Sequence, residues 1–158
     1  YFFEEDFSLE DLEKHFDFYE PFTVHESSLS PCVHSIQAAK LGRMEQAYNF
    51  YLRTSRLDLD DYNKEVEEGL HITSMAGTWM SIVEGFGGMR VINDKLSFKP
   101  QIPNQWKAYS FKVNFRNRII KVKVARESTT FELSGSKEVS IRVNGKKVEL
   151  FPDELVTI

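Results

Sequence analysis

The sequence predicts an α+β protein in which helices come first and a small antiparallel β-sandwich follows. Before about residue 90, apolar side chains recur at the three- and four-residue spacing of one helix face. Beyond that point they alternate with polar side chains, as in strands that bury one face. The change of period divides the chain into two expected domains, residues 1–90 and residues 91–158.

The first two helices have clear start and stop signals. Ser8 is a preferred N-cap, and Asp11 follows three residues later, as in a capping box with Asp in place of Glu. Ser30 is expected to cap the second helix, with a proline at its first position, and Gly42 is expected to end it. These signals predict two helices separated by a short loop.

Apolar stripes predict two more helices, over residues 44–51 and 73–86, and the acidic segment 57–69 between them is expected to be a loop. The last helix also carries a stripe of small residues, Gly77, Ser81 and Gly85. Glycine inside a helix costs about 0.5–1 kcal/mol relative to alanine. Two glycines at this spacing therefore indicate the close approach of another backbone.

The second part of the chain is typical of a β-sandwich. Alternating segments are separated by turn residues, and Asn144-Gly145 between two of them is a strong hairpin signal, because both turn positions favour positive φ. The aromatic residues of one segment, Tyr109, Phe111 and Phe115, share one parity and are expected on the buried face. Several short strands of this kind predict a small antiparallel sandwich.

Composition excludes several classes of protein. The net charge is −4, and no cluster of Lys and Arg indicates a nucleic-acid surface. No apolar run approaches the roughly 18 residues that a membrane span needs. Cys32 is the only cysteine, so no internal disulfide can form, and a reducing cytoplasm is the expected location. The aromatic start at Tyr1, without a methionine, indicates a cut through a longer protein.

Two polar clusters precede predicted helices: His-Glu-Ser-Ser at residues 25–28 and His-Ile-Thr-Ser at residues 71–74. A helix N-terminus offers unpaired N–H groups and a partial positive charge, which together with hydroxyl and imidazole donors suit an oxyanion such as phosphate. The alternative is that the serines and threonine only cap helices and the histidines pack. Spacing alone favours capping, because Ser and Thr are common N-caps.

Four longer strings resemble a known family: YEPFTVHESSLSPCVHSI, RTSRLDLDDYN, GLHITSMAGTWMSIVEGFGGMR and KLSFKP. They resemble the C-terminal region of family 65 glycoside phosphorylases, which include maltose, trehalose and kojibiose phosphorylases. The resemblance extends from about Tyr19 through KVNFRNRIIKV. Within the family, VHESSLSP is most similar to the maltose-specific members.

The resemblance implies a fold and an activity. Residues 1–90 would be the last helices of an (α/α)6 catalytic barrel, and residues 91–158 would be a C-terminal β-sandwich domain. The full enzyme would cleave an α-glucosyl disaccharide with inorganic phosphate, giving β-glucose 1-phosphate with inverted configuration. The general-acid glutamate would lie upstream, so this segment alone is expected to be inactive. No cofactor is expected, phosphate is a substrate, and the full-length enzyme is expected to be a homodimer.

Residue by residue, the resemblance implies that Ser27, Ser28 and His71 contact phosphate. Backbone groups around Gly69 and Thr73 would support them, and His25 and Glu26 would have supporting or structural roles. No metal site is expected. Three aspartates resemble part of a cation loop but lack its glycine and terminal glutamate, so a solvated or salt-bridged loop is favoured for Asp58, Asp60 and Asp61.

Two other functions stay open at the level of sequence. The β-domain has a shape that carbohydrate-binding modules share, and such a module would need exposed aromatic residues on a strand face. Alternatively, the β-domain has a purely structural role, closing the barrel and supporting a dimer.

Overall fold

A computed structural model describes residues 1–25, 27 and 29–158. The chain divides into two compact units, Tyr1–Gly85 and Phe86–Ile158. The first unit is helical and the second consists of two β-sheets, so the predicted α+β class is confirmed. The identity of the parts 1–90 and 91–158 as barrel helices and terminal domain stays a prediction.

The described residues of the helical unit form five α-helices: α1 (Leu9–Tyr19), α2 (Ser30–Lys40), α3 (Met44–Ser55), α4 (Leu57–Asp60) and α5 (Ile72–Met80). Short 3-10 turns lie at Glu4–Asp6, Glu20–Phe22 and Val66–Glu68, and α5 runs on into a π-helical segment, Ser81–Phe86. No helix in the described part of the chain combines the length and apolarity that crossing a bilayer requires.

The start of α1 is as predicted, and the start of α2 is not. The Oγ of Ser8 accepts a hydrogen bond from the Asp11 N–H at 3.1 Å, which satisfies one of the open donors of α1. The hydroxyl of Ser30 makes no cap, because it is hydrogen-bonded to the His25 ring instead. The acidic segment 57–69 is only partly a loop, since it contains α4 and a 3-10 turn.

Small residues let α5 and its π-helical continuation lie close to α2, as the glycine spacing predicted. A Cβ atom built on Gly77 would lie 2.8 Å from Cys32 Cβ, and one built on Gly85 would lie 3.5 Å from Ile36 Cα. Contacts therefore advance in the same direction along both helices. It follows that α2 and α5 run parallel and begin at the same end of the helical unit.

The third helix runs against this pair. Ser35 Oγ in α2 donates to the Ala47 carbonyl near the start of α3, while Arg53 near the end of α3 donates to the His25 carbonyl before α2. Ser74 Oγ in α5 donates to the Thr54 carbonyl at 2.9 Å. The C-terminal turn of α3 therefore lies beside the starts of both α2 and α5.

The second unit contains eight strands: β1 (Arg90–Ile92), β2 (Lys95–Phe98), β3 (Ala108–Phe115), β4 (Arg118–Ala125), β5 (Thr129–Ser134), β6 (Val139–Val143), β7 (Lys146–Leu150) and β8 (Leu155–Thr157). They form two sheets, with strand orders β1-β2-β6-β7 and β3-β4-β5-β8. All the pairings between these strands are antiparallel except β2 with β6, which is parallel.

The inner faces of the two sheets pack against each other through phenylalanines. The Phe98 ring of β2 lies 6.3 Å from that of Phe111 on β3 and 5.5 Å from that of Phe131 on β5, measured between centroids. Phe111 is buried, as its parity predicted. The predicted hairpin joins β6 to β7, with positive φ at both Asn144 and Gly145.

We predict that Gly77→Ala lowers the free energy of unfolding by about 1–3 kcal/mol, the usual range for forcing an extra methyl group into a packed core. The added Cβ would overlap both Cys32 Cβ and Sγ, at 2.8 and 2.9 Å, so α2 and α5 must separate. Urea denaturation followed by circular dichroism measures the effect.

Gly85→Ala is the matched control. Its added Cβ would meet Ile36 Cα at 3.5 Å, an ordinary contact, and alanine is the better helix former by about 0.5–1 kcal/mol. We therefore expect Gly85→Ala to be neutral or stabilising. Equal free energies of unfolding in the two variants would contradict the close approach at Gly77.

Candidate functional site

The imidazole of His71 lies between two carboxylates at the start of α5. Its Nδ1–H donates to Asp58 Oδ1 at 2.5 Å, and its backbone N–H donates to Asp58 Oδ2 at 3.0 Å. On the other side of the ring, Nε2 lies 3.4 Å from Glu65 Oε2. The side chain of His71 is 22% exposed, so the ring is held within the chain but remains accessible on one side.

These contacts favour the charged form of the ring. The hydrogen bond to Asp58 raises the pKa of His71, and the negative charges of Asp58 and Glu65 act in the same direction while partial burial opposes them. The same hydrogen bond lowers the pKa of the Asp58 carboxyl. The site is therefore biased towards an imidazolium beside a carboxylate, with donors on both ring nitrogens.

The start of α5 offers fewer open backbone donors than the sequence suggested. The N–H of Ile72 donates to the Leu70 carbonyl at 3.0 Å, and the N–H of Ser74 donates to the His71 carbonyl at 2.9 Å. The N–H of Gly69 closes a 3-10 turn with the Val66 carbonyl at 3.2 Å. Side-chain donors must therefore carry more of any anion binding here than the sequence indicated.

Thr73 is exposed on the first turn of α5. Gly69 has φ +115°, a conformation that favours glycine, and it ends the turn that precedes His71. The supporting roles expected for the backbone around these two residues stay predictions.

The loop before α2 carries the serine cluster. Ser27 is exposed, and its Oγ accepts a hydrogen bond from the Leu29 N–H at 3.3 Å. A hydroxyl that accepts one bond still has its own hydrogen to donate. Ser27 can therefore donate to an anion. Glu26 and Ser28, which were expected to have a supporting role and to contact phosphate, lie outside the described residues.

His25 packs inside the helical unit. Its side chain is 10% exposed, its Nδ1 is hydrogen-bonded to Ser30 Oγ at 2.7 Å, and its ring lies 4.7 Å from that of His34 and 5.0 Å from that of Phe50. Burial lowers the pKa of His25, and neighbouring His34 and Arg53 lower it further. A neutral, packed ring suits the supporting role that the sequence suggested.

The two polar clusters begin helices that start at the same end of the unit. Because α2 and α5 run parallel and Gly77 lies against Cys32, the loop containing Ser27 and the turn containing His71 both lie at that end. The contact sits near the start of α2 and about one turn further along α5, a difference of roughly 5 Å. The structure thus places Ser27 and His71 at the same end of the helical unit.

Sequence reasoning missed two residues that hold these clusters in place. Asp58 fixes the ring of His71, and Arg53 donates from Nη2 to the His25 carbonyl just before the serines. Arg53 Nε is buried without a hydrogen-bond partner in the described part of the chain. Both residues belong to the string RTSRLDLDDYN, which lies between the two clusters, and that position was the available signal.

The remaining acids of that string are explained by local contacts. Asp60 accepts two hydrogen bonds from Arg56, at 2.7 and 2.6 Å, and Asp61 Oδ1 accepts from the Val66 N–H at 3.2 Å. Residues 1–25, 27 and 29–158 contain no group of three or more His, Cys, Asp or Glu side chains arranged to hold a metal ion. Asp58 and Asp60 are thus salt-bridged, as the sequence favoured, but they lie in the short helix α4 and not in a loop.

The β unit lacks the aromatic surface expected of a carbohydrate-binding module. On β3, Phe111 is buried and Tyr109 is half-buried, with its hydroxyl donating to the Gln101 carbonyl. The ring of Trp106 packs between those of Phe86 and Tyr109, with centroid distances of 5.1 and 5.6 Å. Within residues 86–158, all of which are described, no strand presents a row of exposed aromatic rings.

Two family models match the chain. The model of the glycosyl hydrolase family 65 central catalytic domain matches residues 1–80, and that of the family 65 C-terminal domain matches residues 89–150. A solved structure described as a candidate kojibiose phosphorylase from the human microbiome superposes with a TM-score of 0.91 at 42% identity, covering 99% of this chain and 23% of that one.

Curated relatives include enzymes of different substrate specificity. Maltose phosphorylase of Bacillus subtilis (strain 168) is 51% identical over 95% of this chain. Alpha,alpha-trehalose phosphorylase of Thermoanaerobacter brockii is 44% identical over 96%, and kojibiose phosphorylase of Halothermothrix orenii is 33% identical over 95%. The chain spans about a fifth of the length of each relative, 20% in all three cases. On the two family models and these relatives, the chain belongs to glycosyl hydrolase family 65.

Proposed function

We propose that this chain is the C-terminal part of a disaccharide phosphorylase that cleaves maltose with inorganic phosphate, and that it supplies the phosphate side of the active site. One observation carries the proposal: an accessible imidazole, biased towards its charged form by Asp58, begins α5 at the end where Ser27 precedes α2. A cation and a hydroxyl donor are the groups that bind an oxyanion.

In the proposed phosphorolysis reaction, these groups would bind and orient phosphate. Phosphate attacks the anomeric carbon while an acid on the opposite face protonates the departing glycosidic oxygen, so the configuration inverts and β-glucose 1-phosphate forms. Phosphate needs no base to become a nucleophile. The site must therefore hold a multiply charged anion in line with the bond to be broken, and fixed donors do this with little reorganisation.

Here His71 would donate from Nε2 to one phosphate oxygen, and Ser27 and Ser28 would donate from their hydroxyls to others. Glu26 lies among these phosphate-side residues, so the general acid is assigned to the upstream part of the enzyme. Phosphate and the disaccharide are the ligands, and no cofactor takes part.

Maltose is proposed over other α-glucosyl disaccharides because the maltose phosphorylase is 51% identical to this chain, against 44% for the trehalose and 33% for the kojibiose enzyme. Trehalose is the second candidate substrate, followed by kojibiose and nigerose.

The helical unit is proposed to complete an (α/α)6 barrel with upstream helices of the same enzyme. Its first helix and the turns on either side of it expose several large aromatic side chains, among them Phe2, Phe3, Phe18 and Phe22. Exposed apolar clusters of this kind indicate a surface that another element covers. The family resemblance further leads us to propose a cytoplasmic homodimer, and the buried thiol of Cys32 suits a reducing compartment.

In the full-length enzyme, we predict that His71→Asn raises the KM for phosphate by about tenfold or more, because a hydrogen bond from a charged donor is worth about 1.5–3 kcal/mol. Ser27→Ala should raise it by a smaller factor of about three to ten, since a neutral donor is lost. The KM for the disaccharide should change by less than about twofold in both variants, since these groups face phosphate. Initial rates over a grid of both substrates give the two constants.

Two control variants make the same residue changes, His to Asn and Ser to Ala, at positions away from the proposed site. His15→Asn changes an exposed histidine of α1, and Ser136→Ala changes an exposed turn residue between β5 and β6. Both should leave the KM for phosphate unchanged. An unchanged KM for phosphate in His71→Asn would overturn the assignment of this end of the unit to phosphate.

We further predict that the full-length enzyme has its highest kcat/KM on maltose among maltose, trehalose, kojibiose and nigerose. The coupling constant of the anomeric proton in NMR should identify the phosphorylated product as the β anomer. The segment 1–158 alone should release no glucose 1-phosphate, because the acid lies outside it. A preference for trehalose would replace the proposed substrate, and phosphorolysis by the segment alone would refute the upstream position of the acid.

A further inference from the structure

We propose that Asp58 is a positioning residue that presents Nε2–H of His71 to phosphate, and that phosphate takes the place of Glu65 at that nitrogen. The proposal rests on the function proposed above for His71. It concerns two acids that flank an anion site, an arrangement that electrostatics alone would disfavour.

The geometry of Asp58 fixes both the position and the rotation of the ring. One carboxylate oxygen accepts from Nδ1–H at 2.5 Å and the other accepts from the backbone N–H of the same residue at 3.0 Å. The side chain and the main chain of His71 are thus held by one group. Rotation about the side-chain bonds would break the first contact, so Nε2 keeps one direction.

The same contact decides which nitrogen can meet a ligand. A carboxylate only accepts hydrogen bonds, so Nδ1 must carry a proton, and the partner of one ring nitrogen sets the state of the other. With Nδ1 engaged, only Nε2 is left for an external group. It donates only when the ring is an imidazolium, and the negative charge of Asp58 favours that form.

Glu65 occupies the place that the ligand would take. Its Oε2 lies 3.4 Å from Nε2, longer than the Asp58 contact, and its side chain is 40% exposed. It also accepts from Asn63 Nδ2 at 3.3 Å. An exposed carboxylate on the segment between α4 and the 3-10 turn can rotate into solvent at little cost, whereas Asp58 is 17% exposed and held by two bonds.

Because Glu65 and phosphate are both negatively charged, Glu65 must move away from Nε2 of His71 before phosphate can bind there. Two anions at one ring nitrogen repel each other, so phosphate and Glu65 exclude each other there. In the described part of the chain, the charged groups that face the His71 ring are Asp58 from α4 and Glu65 from the following segment. The first is a permanent partner of the ring, and the second stands in for the substrate anion.

The test compares Asp58→Asn with the unmodified full-length enzyme by measuring the KM for inorganic phosphate across pH. Without the carboxylate, the pKa of His71 falls back towards its ordinary value of 6.5, so the ring loses its donor at lower pH. The ratio of the two KM values should therefore be smallest near about pH 5.5, where the ring is charged in both proteins, and should rise severalfold by about pH 7.5, where the variant ring has lost more of its charge. Ionisation of phosphate itself cancels in the ratio.

Asp60→Asn is the matched control, because it removes the same charge two residues away in α4 from a side chain paired with Arg56. Its KM ratio should stay near one at every pH. Asp58→Glu restores the charge and should recover most of the phosphate affinity at high pH. A ratio for Asp58→Asn that does not change with pH would overturn the positioning role, since a merely structural loss has no such profile.

Glu65→Gln gives an independent arm that leaves Asp58 in place. At about pH 5.5, where the ring is charged with or without Glu65, removing the competing anion should lower the KM for phosphate by about threefold, the effect of weakening an exposed charge contact. An unchanged or raised KM in this variant would overturn the displacement of Glu65.

His71→Asn distinguishes failure of the proposed function from failure of the positioning role of Asp58. If it leaves phosphate use unchanged, the proposed function fails. If it impairs phosphate use while Asp58→Asn shows a flat KM ratio, only the positioning role of Asp58 fails. Thermal unfolding of each variant checks that it is folded, and should Asp58→Asn not fold, the same pH-dependent KM ratio measured on Asp58→Ser, which also lacks the charge, decides the positioning role.

Discussion

The close contact of α2 with α5 at Gly77 is the constraint on which the rest of the helical unit depends. There is no room for a side chain at that position, because a Cβ atom would lie within 3 Å of Cys32 Cβ and Sγ, at 2.8 and 2.9 Å, and 3.3 Å from Thr54 Cγ2. Three helices therefore meet at one point. Since α2 and α5 are parallel and α3 is antiparallel to them, two distant loops and one helix end come together.

This packing would allow the proposed anion site to be assembled from individually weak contacts. Among the described residues, several N–H groups at the two helix starts already have partners, and hydrogen bonds of Arg53, Leu29 and Ser30 hold the loop before α2. What the fold supplies is placement. Donors that are already fixed lose little entropy when a ligand binds.

In the proposed site, an aspartate beside a histidine that binds phosphate would have opposing effects. Its charge repels an incoming anion, but the same charge keeps the imidazole protonated and its direction fixed. The histidine lies between the two anions, so attraction acts over the shorter distance. The net effect favours binding only while the ring is charged, and this links the affinity for phosphate to the state of a single proton.

Local features of the fold could be predicted from the sequence, and long-range ones could not. The Ser8 cap, the Asn144-Gly145 hairpin and the close approach at Gly77 each depend on a few neighbouring residues, and all three are present. The Ser30 cap was wrong because a histidine five residues earlier binds the hydroxyl. The parallel pairing of β2 with β6 joins segments with no shared local signal.

In the candidate site, too, the sequence pointed to individual residues but not to the long-range contact between them. His25, Ser27 and His71 were identifiable because they lie in distinctive strings just before helices. The pairing of Asp58 with His71 was not, because the two residues are separated by 13 positions and an irregular segment whose path determines their meeting. Acidic residues in a polar stretch resemble ordinary surface charge until the chain path is known.

The thiol of Cys32 gives the helix contact a chemical reporter. Its side chain is 3% exposed, its Sγ–H donates to the Leu29 carbonyl at 3.1 Å, and burial raises the pKa of the thiol. Alkylating reagents attack only an accessible thiolate, so the folded chain resists them until α2 and α5 separate. The sequence contains no other cysteine, so alkylation of this chain reports on Cys32 alone. Its rate therefore measures how often the contact between α2 and α5 opens.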